Sequence, residues 1–292
     1  MFSEVSKMNE ALIKIPAINK INKKQDSRSI GWDDFQLGPL PNTCIMNISE
    51  KDIIRCCELY DDNVELYNNY APSYISYYSG QNVITPFRDI SAGLASLEID
   101  FIEKIPRDID LTVSGNVIEK SIRKGRGYVD WETSIFNKNK LIQKNRRSWY
   151  FAISDDELNK HPEKNASKPI PARPENFESN NLQLLLSQDR MNQFEGPGEL
   201  NGHTNVDLAK KQGNPGPLSQ GAFGFGLISR LIANDFSDRF TSGGKMSLKF
   251  VRPVWAGEQI NAFYSEIEEG FLRVWAEKDN TEEVIVGTVM LA

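Results

Sequence analysis

Two stretches of the chain alternate strictly between apolar and polar positions. Leu97, Ile99 and Phe101 alternate with Ser96, Glu98 and Asp100, and Met246, Leu248 and Phe250 alternate with Lys245, Ser247 and Lys249. A period of two predicts half-buried strands. The residues after each stretch are also alike. Phe101-Ile102-Glu103-Lys104-Ile105-Pro106 leads through a polar turn to Leu111-Thr112-Val113, and Phe250-Val251-Arg252-Pro253-Val254-Trp255 leads through Ala256-Gly257-Glu258 to Ile260-Asn261-Ala262-Phe263. Two more strands are expected in each half, at 128–136 and 147–153 and at 271–276 and 284–291, with turns at Lys124-Gly125 and Asp279-Asn280. The pattern reads as an internal duplication of one antiparallel unit of about 110 residues.

A different period runs from Gly221 to Asn234. Ala222, Phe223, Phe225, Leu227, Ile228, Leu231 and Ile232 surround nearly the whole of a predicted helix. A helix apolar on most faces is buried on most faces. A sheet wrapped around such a helix predicts an α+β fold with two antiparallel sheets, each packed on a central helix. In the first half the covering segment is less regular: Tyr60 to Tyr78 is rich in Tyr and Asn.

Between the halves, His161-Pro162-Glu163-Lys164 and Lys168-Pro169-Ile170-Pro171-Ala172-Arg173-Pro174 bring four prolines into a polar stretch that can continue neither a helix nor a central strand. This divides the chain into an N-terminal arm at 1–28, a first domain at 29–154, a linker at 155–180 and a second domain at 181–292. His161 falls in the linker and is read as exposed and inert.

The remaining composition removes function classes. The 292 residues carry 34 basic and 40 acidic side chains, a formal net charge of -6 that argues against a general nucleic-acid binder. Cys44, Cys56 and Cys57 make no disulfide framework and no zinc-ligand spacing; Cys56 and Cys57 are read as buried helix positions. No apolar run is long enough to span a membrane, and the N-terminus makes a poor secretory signal, so a cytoplasmic location is expected. Lys138, Lys140, Lys144, Arg146 and Arg147 form a basic run around a hairpin, read as a solvated edge that protects a sheet. Phosphate-binding loops, dinucleotide fingerprints and hydrolase elbows are missing, and neither metal nor cofactor is implied.

Chemistry concentrates around His203. The sequence from His203 to Gly221 contains Ala209, Gly213, Pro215-Gly216-Pro217 and Gly221, and is preceded by Glu199 and Asn201. This segment resembles the MaoC-like and (R)-specific enoyl-CoA hydratases. They carry an Asp-x-Asn-Pro-x-His motif and then a Gly-x-Pro-Gly-Pro-x-x-His-Gly segment opening the buried helix. Phe250 to Gly257 resembles the family's next signature. The resemblance implies a double hot-dog, one half catalytic and the other holding an acyl chain.

It also implies a hydratase or dehydratase acting on 2-enoyl or 3-hydroxyacyl thioesters of coenzyme A or a carrier protein. His203 and Glu199 would be the catalytic pair, with Asn201, Asn205, Gln220 and Gly221 contacting substrate. Departures from the pattern are clear. In strict register the acid position falls on Gly198; a one-residue deletion puts Glu199 there and Asn201 at the Asn position. Asn205 stands where Asp is usual, and Gln220 where His is usual. Asn201 and Asn205 also suit local capping. The altered acid position leaves open an isomerase or cyclase on the same fold, or a catalytically silent acyl- or partner-binding protein. Imidazole titrates near neutrality and suits proton transfer. The backbone N–H of Gly221 at the helix start suits a developing oxyanion. Lys210, Lys211 and Arg252 are cations that could meet the phosphates of coenzyme A. A homodimer of the two-domain chain is compatible with this architecture.

Overall fold

The computed structural model describes residues 31–40, 43–79, 92–159, 163, 169–175, 177, 180–196, 201–278 and 282–292. Their strands are β1 (Gly38–Pro39), β2 (Cys44–Asn47), β3 (Gly93–Phe101), β4 (Asp110–Arg123), β5 (Arg126–Asn137), β6 (Lys140–Phe151), β7 (Leu182–Leu185), β8 (Lys245–Phe250), β9 (Gln259–Glu268), β10 (Phe271–Lys278) and β11 (Glu282–Met290). They form one sheet in the order β1-β4-β5-β6-β3-β8-β11-β10-β9-β7, with β2 also on β4.

The order repeats itself. In the first half the sheet runs β4-β5-β6-β3, and in the second β9-β10-β11-β8, the same topology read from opposite ends. The two alternating stretches are β3 and β8, and they pair antiparallel, Leu97 facing Leu248 and Ile99 facing Met246. This is the self-complementary contact that a two-fold relation between duplicated halves produces. Leu97, Ile99, Phe101, Met246 and Leu248 are buried, Phe250 is half-buried, and the charged positions reach solvent. The expected double hot-dog is present, and the β3–β8 ladder joins its two half-sheets into one.

The duplication reaches further upstream than the alternation revealed. β2 pairs with β4 and β7 with β9. Each is followed by a buried aliphatic residue, a capping serine and a helix: Ile48, Ser49 and α1 (Glu50–Tyr60); Leu186, Ser187 and α2 (Gln188–Glu195). Ser49 Oγ accepts from Asp52 N–H at 3.3 Å, while Asp52 accepts from Ser49 N–H at 2.8 Å, the reciprocal box that starts a helix. Cys56 and Cys57 lie buried on α1, and all three cysteines are free.

Local chemistry explains the hairpins. Lys124 and Gly125 both have positive φ, at 49° and 67°, between the paired Arg123 and Arg126. That is the two-residue turn whose twist matches its strands. Asp279-Asn280 lies outside the described residues.

A short helix, α3 (Val206–Lys211), precedes the central helix α4 (Gly221–Thr241). α4 is longer than its apolar run predicted, and it breaks at Ser237, whose φ is 45°. Ala222, Phe223, Phe225, Leu227, Ile228, Leu231 and Ile232 are buried. Two glycines in its interior let neighbours in. A Cβ on Gly224 would overlap the Ile285 side chain, and one on Gly226 the Tyr60 ring. The first-half cover is the 3-10 turn Ser73–Ser76, which packs on α4.

Two readings from sequence change. The proline-rich stretch is a packed strap where it is described. Arg273 Nε donates to the Pro171 carbonyl at 2.8 Å, Arg173 reaches Glu277 at 2.6 Å, and the Phe177 ring meets Trp275 edge-on at 4.7 Å. The basic run is no sheet edge either, because β6 lies between β5 and β3. Lys144 and Arg146 pair with Glu132 and Asp130 across the strands, and Arg147 is 2% exposed. Strand alternation sends every second residue inward whatever its charge.

Candidate active site

His203 follows a tight turn built by Asn201. The Asn201 side-chain oxygen accepts from His203 N–H at 2.8 Å, and Asn201 N–H donates to Thr204 Oγ1 at 3.0 Å. The His203 carbonyl accepts from Gln188 Nε2 at 3.0 Å, which ties the loop to the start of α2. The Pro215–Leu218 segment is stitched to the chain after β8 by Ser219 N–H to Val254 O at 2.8 Å and Ala256 N–H to Pro217 O at 3.0 Å. This fixes the Leu218 carbonyl, which lies 2.5 Å from His203 Nδ1. A carbonyl only accepts, so Nδ1 carries the proton. In neutral imidazole Nε2 is then unprotonated.

Among the described residues the acid at this place is Glu195. It is the last residue of α2, which Gly196 ends at φ 98°. One carboxylate oxygen accepts from Gln220 Nε2 at 2.8 Å and the other from Asn201 Nδ2 at 3.0 Å. Each oxygen has one amide donor and keeps further lone-pair capacity. Asn201 thus bonds both to Glu195 and to the His203 backbone, and Gln220, at the N-cap of α4, bonds to Glu195 from the other side.

Glu195, His203, Gln220 and Gly221 line one cavity of about 470 Å³. Its far wall comes from the first half, with Tyr77, Leu94, Trp149 and Tyr150; Phe250, Arg252 and Trp255 complete it. The cavity therefore lies where the halves meet, at the start of α4. No described side chain caps that helix, and Phe223 N–H turns to the Gln220 carbonyl at 3.1 Å, which leaves the Gly221 N–H as the donor at the cavity. A Cβ on Gly221 would meet Leu94 at 2.9 Å and Phe250 at 3.0 Å, which accounts for glycine at this close approach. Another cavity, about 550 Å³, lies along the other end of α4 around Asp62 and Arg230. It is larger, but its buried carboxylate is already bonded to Arg230, Tyr67 and Tyr74.

The predicted residues thus separate. His203, Gln220 and Gly221 converge on the cavity. Asn201 stands behind it as the link between Glu195 and His203. Asn205 caps α3, accepting from Leu208 N–H at 3.0 Å, and does not line the cavity. Glu199 and His161 lie outside the described residues. Glu195 was missed because it falls eight positions before His203, upstream of the motif. Met191 and Phe194 at helical spacing, followed by Gly196, are the signal that puts Glu195 at a helix end beside the loop. Arg252 sits at the cavity rim, held by Glu282 at 3.1 Å and the Glu283 carbonyl at 2.6 Å. Lys210 and Lys211 are exposed on α3. Among the described residues no cluster of ligating side chains could hold a metal, and no helix is long and apolar enough to cross a membrane.

No protein-family model matches the sequence, and no curated protein matches it significantly. The fold, by contrast, is widely shared: it is the double hot-dog of MaoC-like structures. The full-length peroxisomal multifunctional enzyme type 2 of Drosophila melanogaster superposes with a TM-score of 0.70 at 16% identity over 86% of this chain. The chain spans about half, 48%, of that enzyme's length. A MaoC-like dehydratase from Phytophthora capsici gives a TM-score of 0.68 at 15% identity, covering 86% of this chain and 94% of the other. A Mycobacterium tuberculosis protein described as a double hot-dog gives 0.52 at 11% identity, over 90% of this chain and 99% of its own.

Proposed function

We propose that this protein is a MaoC-like hydro-lyase that adds water to a 2-enoyl thioester, or removes it from a 3-hydroxyacyl thioester. The observation that carries this reading is the pairing of Glu195 and His203 on one cavity at the uncapped start of a buried helix. The thioester carbonyl would lie against the backbone N–H at Gly221, where the helix dipole and the unused donor meet the enolate charge. A water between Glu195 and His203 Nε2 would attack C3. His203 takes one of its protons, Glu195 orients the other, and the proton carried by the pair is returned to C2. The sum is one hydroxyl on C3 and one hydrogen on C2, with no other reactant.

In this reading residues 181–292 carry the chemistry and residues 29–154 hold the acyl chain. Arg252 at the rim faces the carrier, where coenzyme A or phosphopantetheine places a phosphate. Glu195 replaces Glu199 as the preferred acid. The test is incubation with 2-enoyl thioesters of coenzyme A and of carrier protein in ¹⁸O-labelled water. A 3-hydroxyacyl product carrying one labelled oxygen supports the reading, and unchanged thioester of every length and carrier rejects it.

A further inference from the structure

The interior of the first half is polar where a hydrocarbon chain would want it apolar. β6 sends Gln143, Asn145 and Arg147 inward, and β5 sends Trp131 and Thr133 to meet them; all are buried. Among the described residues several of their polar atoms have no partner: both ends of the Gln143 amide, Asn145 Oδ1, Trp131 Nε1 and Arg147 Nε. Trp131 and Arg147 are direct cross-strand partners, so two unused N–H donors start from one rung of the sheet.

Arg147 is the sharpest case. Its guanidinium lies 4.3 Å from the Tyr77 ring centre and 5.2 Å from that of Trp131, and it donates to the Tyr77 carbonyl. Among the described residues no carboxylate pairs with it. Burial alone lowers its pKa, to about 10, so it remains charged at neutral pH. A buried, unpaired cation is retained against a cost that an apolar residue between the same two rings would avoid.

Its position relates it to the reaction cavity. Tyr77 and Trp149 are cavity wall. Trp149 lies two residues along β6 on the same face as Arg147, and its ring meets Trp131 edge-on at 5.0 Å. The Arg147–Trp131 rung does not itself line the cavity but packs directly behind Tyr77 and Trp149, where an acyl chain that starts at His203 and passes those rings would reach it. We propose that this rung is an anion subsite, which selects thioesters whose acyl chain carries a carboxylate at its far end. A carboxylate has two oxygens and accepts from more than one N–H donor, and Arg147 Nε and Trp131 Nε1 stand unused on neighbouring residues of one rung. The inference rests on the thioester reading of the site.

Binding tests it independently of turnover, with saturated thioesters that cannot be hydrated. Adipoyl-, suberoyl- and sebacoyl-CoA are titrated calorimetrically against hexanoyl-, octanoyl- and decanoyl-CoA. The expected result is a preference of about tenfold or more for the carboxylated member of at least one pair. Arg147→Met should erase the preference and leave the neutral chain within about twofold of wild type, with no loss of thermal stability, since it removes an unpaired charge. Trp131→Phe, which keeps the ring and deletes the donor, should reduce the preference by about threefold. Neutral chains bound equally well or better at every length would overturn the subsite and leave the thioester reading standing. So would a preference that survives Arg147→Met. Failure of both series to bind would instead overturn the thioester reading and the subsite with it.

Discussion

Replacing Glu195 by Gln changes one atom and should disable the site. Both carboxylate oxygens accept an amide N–H, from Gln220 at 2.8 Å and from Asn201 at 3.0 Å. A glutamine offers one oxygen and one NH₂, so either orientation sets N–H against N–H on one side. The lost bond costs about 1–3 kcal/mol of local order, some of which the half-exposed site returns through water. The chemical loss is larger, because a neutral amide no longer supplies the negative charge that orients the attacking water and stabilises the imidazolium formed when His203 takes its proton. Loss of a general acid–base group reduces the rate by about 10²- to 10⁴-fold, which is roughly 3–5 kcal/mol of barrier at about 1.4 kcal/mol per factor of ten. The assay follows loss of enoyl absorbance with Glu195→Gln and Glu199→Gln in parallel, alongside melting curves. Expected is a kcat at least about a hundredfold down for Glu195→Gln, with KM within a few-fold and a folded protein, and near-normal rates for Glu199→Gln. The converse pattern would refute the assignment and return the acid role to Glu199.

Other consequences concern the scaffold. Gly226→Ala would push a methyl into the Tyr60 ring, which is buried and bonded to Ala222 O at 3.0 Å; overpacking should cost about 1–3 kcal/mol, read as a lower midpoint by calorimetry. Arg230→Met strands Asp62, whose side chain is 1% exposed and pairs with Arg230 at 3.0 Å; the expected loss is about 3–5 kcal/mol in urea unfolding, with Arg230→Met/Asp62→Asn recovering much of it. Stability should also fall on the alkaline side. Burial raises Cys57 from 9.0 to about 11 and raises Cys56 and Tyr60 as well. Between the unfolded and folded values the native state holds more protons, so raising the pH through that window favours unfolding. Melting temperature should drop from about pH 9 upward, less steeply in Cys57→Ala, and a flat profile to pH 11 would contradict the assigned burial.

The sequence showed elements whose side-chain period matches their burial. β3, β8 and α4 are legible because alternation and all-round apolarity have one structural meaning each. His203, Gln220 and Gly221 were legible because a short segment positions them together. Glu195 was not, because its place depends on where α2 stops relative to a loop that returns to it. Arg147 was not, because a basic residue in a basic run reads as surface until the strand order puts β6 inside the sheet. The strap formed by Pro171, Arg173 and Phe177 read as a linker because proline excludes regular structure but does not exclude packing, and it was Arg273, Glu277 and Trp275 that decided the outcome.

The most direct test of the central claim is hydration of crotonyl-CoA and longer 2-enoyl thioesters by wild type and His203→Ala side by side. Turnover by wild type is expected on at least one chain length, with a loss of about two orders of magnitude or more in the variant. Equal rates in both proteins, or silence of a folded wild type on coenzyme A and carrier-protein thioesters alike, would contradict it.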